Sequence, residues 1–182
     1  RSFEKTQAAN ITYFNLFLIG CLLDCIRLYI PNFHAYGTYS KLLINFGNII
    51  VCSRLLIPIA LLYTIIVDDV DKRHNTEQNL FIILLSTTFF AEIIPINTGR
   101  LNPNFTIDFS LKNILNLYLF IILIASIISI FINNYRNQNS QKTSFGFLFI
   151  CIGLLFIFSS TNLIKLIIAI ISMIFGTFYY LH

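Results

Sequence analysis

The stretch 43–67, LINFGNIIVCSRLLIPIALLYTIIV, decides how this chain is read, because it carries one charged side chain, Arg54, in an otherwise apolar run. A bilayer core about 30 Å thick takes roughly 20 helical residues to cross. No water is available there to hydrogen-bond a bare backbone, so an apolar run of this length must be helical. It is long enough to tilt or to carry a kink at Pro58.

Working outward, five more apolar segments flank it, at about 11–30, 79–98, 113–132, 145–160 and 162–181. All are continuously apolar rather than alternating, which excludes the spans of a β-barrel. The expected fold is therefore all-α: a polytopic membrane protein forming a bundle of about six transmembrane helices in a single domain, 1–182. The last two segments meet at Ser159–Asn162 and read as a tight helical hairpin. Because 145–160 is short, five spans plus a re-entrant element is the alternative. The links 31–42, 68–78, 99–112 and 133–144 leave no room for a separate soluble domain.

Composition points the same way. The chain has 182 residues, of which 57% are hydrophobic and 11% charged, with a mean hydropathy of +0.78. An ordinary soluble domain is about a quarter charged, so too few polar residues are present here to cover a globular surface. The net charge of +4 is scattered without a basic patch, which argues against nucleic acid as a partner. The start is polar and the first apolar run is of full span length, so no cleavable signal peptide is read there. Cys21, Cys25, Cys52 and Cys151 all fall in apolar segments without metal or redox spacing, and read as small packing residues.

Orientation follows from Lys and Arg outside the spans. Arg1, Lys5, Lys72, Arg73, Arg136 and Lys142 share one face, against Lys41, Arg100 and Lys112 on the other. The positive-inside rule then places both termini in the cytoplasm, or in the matrix or stroma of an organelle. The sequons at Asn10 and Asn104 add little. Tyr13, Tyr29, Tyr36, Tyr39, Tyr179 and Tyr180 fall near span ends, where aromatic side chains anchor at the interface.

The informative residues are charges inside spans: Asp24, Arg27, Arg54, Glu92 and Lys165. Each costs on the order of 3 kcal/mol at the centre of a lipid-exposed helix, so such groups turn inward and pair. Asp24 and Glu92 fall about fourteen residues into their spans, roughly 20 Å deep, and Arg54 lies at a similar level on a helix running the other way. Two readings stand. In one, Asp24 pairs with Arg27, Arg54 pairs with Glu92, and Lys165 snorkels to the interface, so that the charges only fix helix order. In the other, they line a polar cavity with His34, Arg100 and Asp108 at its mouth. Arg27, Arg54 and Arg100 would then hold an anionic head group, and Glu92 or His34 would act as acid or base.

Asp68, Asp69, Asp71 and His74 in the link 68–78 resemble a divalent-cation set, but Lys72 and Arg73 neutralise it, so no metal is expected. Phosphate loops, GxSxG, HExxH and paired mid-span histidines are absent, and no cofactor is indicated. The order His34, Glu92, Arg100, Asp108, Asn113 resembles the polar residues of VanZ-like membrane proteins. That resemblance covers five residues of 182; the spacings depart from the pattern and Pro95 stands where Gln is expected, so it assigns no family. The function expected is that of an integral, non-catalytic subunit of a larger membrane complex, with other membrane subunits and the lipid bilayer as partners. The alternatives are a membrane-embedded enzyme acting on lipid-linked anionic substrates, or a small transporter component.

Overall fold

A computed structural model describes residues 2–35, 40–69, 76–101, 107–137, 141–160 and 163–181. Its helices are α1 (Ser2–Asp24), α2 (Ile30–Ala35), α3 (Ser40–Asp69), α4 (Thr76–Ile93), α5 (Lys112–Asn137), α6 (Gln141–Phe158) and α7 (Leu163–Leu181). A 3₁₀ turn, Cys25–Tyr29, joins α1 to α2, and two strands, β1 (Ile96–Leu101) and β2 (Ile107–Phe109), lie between α4 and α5.

Three helical stretches are long and apolar enough to cross a membrane: Asn10–Phe33, Lys41–Ile66 and Lys112–Tyr135. Thr143–Phe158 and Ile164–Tyr180 are apolar but shorter. Large apolar side chains remain exposed on these helices, among them Leu22, Ile114, Leu117, Ile164 and Ile174. Such a surface fits a membrane location, where lipid covers what water would not.

The helical expectation for 79–98 needs correction at its end. The helix stops at Ile93 and the chain turns into β1, because Ile94, the residue before Pro95, is pushed out of the α region. The link 99–112, read as a turn-rich loop, contributes an antiparallel hairpin in which Ile96 pairs with Phe109 and Asn97 with Asp108. Among the described residues the fold is thus helical with one two-stranded sheet.

The chain divides into two compact units, Arg1–Ile122 and Leu123–His182. In the first, α1 packs along α3 in antiparallel register. Tyr13 stacks on Tyr63 with ring centroids 5.2 Å apart. Further along the same pair, Gly20 meets Ile57 so closely that a Cβ would lie 2.8 Å from Ile57 Cγ1. The hairpin rests on the first half of α3: Ile107 joins Ile30, Leu43 and Ile50 in one apolar cluster with Phe33, Phe46 and Ile96 packed against it. Gly47 makes room for Ile96. A second cluster, Val51, Ala91, Phe109 and Leu115, ties α3, α4, β2 and α5 together, and Tyr118 donates a hydrogen bond to the Leu55 carbonyl at 3.2 Å.

In the second unit, α6 and α7 form the close pair expected of a helical hairpin. A Cβ on Gly146 would lie 2.6 Å from the Tyr180 nitrogen, and one on Gly176 would lie 2.7 Å from the Ile150 nitrogen. Small residues let the two backbones approach, the usual device of helix pairs in lipid. Ser172 donates to the Phe149 carbonyl across the pair at 2.8 Å, and Asn134 donates to Ser144 Oγ at 2.6 Å.

Candidate functional site, a buried charge cluster

The candidate site begins with the break in the first helical run. At Asp24 the α-helical pattern gives way to the 3₁₀ turn that carries Arg27. This tighter winding nearly superimposes side chains three residues apart. It brings Arg27 Nε to 3.5 Å from Asp24 Oδ2. The other carboxylate oxygen, Asp24 Oδ1, lies 3.4 Å from Arg54 Nε on α3. All three side chains are at most 4% exposed. One carboxylate thus bridges two guanidiniums and fastens α1 to α3.

The helix pairing below explains why these groups meet. Gly20 is one turn before Asp24 and Ile57 is nearly one turn after Arg54, so the Gly20–Ile57 contact brings the backbones together beside the charges. Pro58, four residues after Arg54 inside α3, has no N–H to give the Arg54 carbonyl. Next to the cluster, Ser53 turns its hydroxyl back onto the Ile50 carbonyl at 2.8 Å.

The remaining expected site residues whose side chains are described do not join this group. Arg54 meets Asp24 rather than Glu92, whose side chain is exposed near the end of α4. The α3–α4 seam opposite Arg54 is instead closed by apolar contacts through Ala91 and Val51. Lys165 is exposed on α7. Asp108 is half-buried on β2, and Asn113 is exposed in the first turn of α5. His34 lies on α2 and Arg100 on β1, with side chains outside the described residues. The acidic link set falls mostly outside them too; among the described residues no group of His, Cys, Asp and Glu is placed to hold a metal ion.

The cysteines are free, and Cys25 Sγ donates to the Cys21 carbonyl at 3.4 Å. A separate groove of about 630 Å³ runs between α6 and α7, lined by Phe145, Phe149, Ile152, Ile168, Ile171 and Phe175 together with Ser172 and Tyr179. Its walls carry no acid, base or nucleophile beyond these two hydroxyls, so it offers apolar contact rather than chemistry.

Sequence reasoning found the three members of the cluster and missed the pairing of Arg54 with Asp24. The usable signal was Gly20, since a glycine one turn from an intramembrane acid marks where another helix can come close. No protein-family model matches the sequence, and no curated protein or solved structure matches it.

Proposed function

We propose that this chain is a multi-pass integral membrane protein acting as a non-catalytic subunit of a larger membrane assembly. α4, α6 and α7 join the three longer helices as spans, giving six, with both termini on the cytoplasmic side or its organellar equivalent. At 18, 18 and 19 residues these three helices are about 27–29 Å long, close to the hydrocarbon thickness.

The observation that carries the subunit reading is the dispersal of the acid–base candidates. Glu92 is exposed, Asp24 is engaged by two guanidiniums, and Asp108 sits on the hairpin. A hydrolytic or transfer site needs an acid or base within hydrogen-bond reach of the group that binds substrate, and the described residues do not assemble one. Exposed Phe81, Phe89, Phe90, Ile164 and Phe175 supply the apolar surface that helices of other subunits would cover.

The test is the native mass of the protein extracted gently from its own membrane, with every co-purifying chain identified. A stoichiometric complex larger than this chain supports the reading. A stable monomer or homodimer overturns it and favours the enzyme acting on anionic lipid-linked substrates.

A further inference from the structure

We infer that the groove between α6 and α7 receives helix α4 of a second copy of this chain, with Glu92 of one copy paired to Lys165 of the other. The argument starts from two charges on otherwise apolar helix faces. Glu92 on α4 and Lys165 on α7 are both exposed, and among the described residues neither joins an ion pair or a hydrogen bond.

Packing against α3 fixes the depth of Glu92. Thr87 on α4 meets the Cys52 thiol of α3, and Ile96, past the helix end, meets Gly47. Glu92 therefore lies level with the segment between Gly47 and Cys52. That segment is about 9–17 Å inside the crossing stretch that begins at Lys41. A carboxylate facing lipid at that depth is costly, and such a group calls for a cation on a neighbouring helix.

The two faces match in spacing as well as in charge. On α4 the exposed Phe81, Leu85, Phe89 and Glu92 recur at intervals of four, four and three, so they share one face. On α7, Lys165, Ile168, Ser172, Phe175 and Tyr179 recur at three, four, three and four, the period of a helix seam. All but Lys165 line the groove. In the six-span topology α4 and α7 run in opposite directions, and Glu92 and Lys165 fall at helix ends on the same side. Antiparallel packing that sets Glu92 on Lys165 brings Phe89 to Ile168, Leu85 to Ser172 and Phe81 to Phe175. Glu92 then also faces the N-terminal end of α7, and Lys165 the C-terminal end of α4, the favourable pole in each case. A lipid acyl chain in the groove would leave both charges unmet, whereas a second copy supplies both halves of the match. The inference rests on the six-span subunit reading above and names one neighbour in that assembly.

The experiment co-expresses two differently tagged full-length copies, one Phe89→Cys and the other Ile168→Cys, and oxidises them in their own membrane. A disulfide-linked pair carrying both tags is expected. Ile170→Cys, exposed on another face of α7, replaces Ile168→Cys as the control and shows what the native cysteines give. Glu92→Lys or Lys165→Glu, placed in both copies, should lower the yield at least about tenfold, and the two reversals combined should restore it. Should a reversal fail to insert, Glu92→Gln takes its place with a lowered yield again expected. Equal yields at the two α7 positions, a link that forms only when both cysteines are on one chain, or a yield unmoved by the charge changes overturns the inference. A stoichiometric complex with other proteins but without the link overturns the inference alone. Linked copies in a particle that holds no other protein uphold it and overturn the subunit role.

Discussion

At the scale of single residues, the chain separates charges buried in pairs from charges that stand exposed. Asp24 and Arg54 are buried against each other, and cutting such a pair leaves the partner's charge in the interior. We expect Arg54→Ala to cost about 3–5 kcal/mol of stability, and Glu92→Gln, at an exposed position, to stay within about 0.5 kcal/mol. Denaturant titration of both variants in the same detergent checks the contrast. Equal losses would mean that Glu92 is part of the buried network after all. Arg27 was legible as the i,i+3 partner of Asp24 because the spacing is local. The Asp24–Arg54 link joins residues thirty apart in sequence, and only the register of two helices selects it over Arg54–Glu92.

At the scale of elements, close approach of backbones is the recurring device. It appears at Gly20 on Ile57 and again where Gly146 and Gly176 let α6 and α7 touch. Gly176→Leu should separate that pair, since its side chain would meet the backbone of Ile150 and Gly146 as well as the Ile150 side chain. The expected cost is about 1–3 kcal/mol or more. Protease susceptibility of residues 141–181 in detergent, compared with Thr177→Ala as a control on the same helix, reads it out; equal susceptibility would contradict the packing. The end of α4 belongs to this scale too. Hydropathy carries the apolar run to residue 98, but Pro95 stops the helix at Ile93 and the following residues pair as strands. The hairpin was illegible because its strands are short and its apolar residues, Ile96, Ile107 and Phe109, look like any others until α3 supplies the surface they cover.

At the scale of the whole molecule, the number of crossings sets which sides the two ends occupy. Six spans put both termini on one side, whereas three, or five plus a re-entrant element, put them on opposite sides. Epitope tags at each end, probed by protease in sealed vesicles, should both be protected or both be cleaved. A split result would remove the six-span reading while leaving the membrane location intact.

Apolar run length and the scarcity of charge were enough, from sequence alone, to establish the helical class and the fit to a membrane, because both depend on transfer of side chains and backbone into lipid, which each segment meets independently. The charged residues inside the apolar runs were legible for the same reason: every one departs from an apolar background. Tertiary structure decided the pairing of Asp24 with Arg54, the strand pairing of 96–97 with 108–109, and the close fit of α6 on α7. These depend on which surfaces meet at van der Waals distance, and such distances are set by small residues such as Gly20, Gly47 and Gly176, which carry almost no signal in hydropathy.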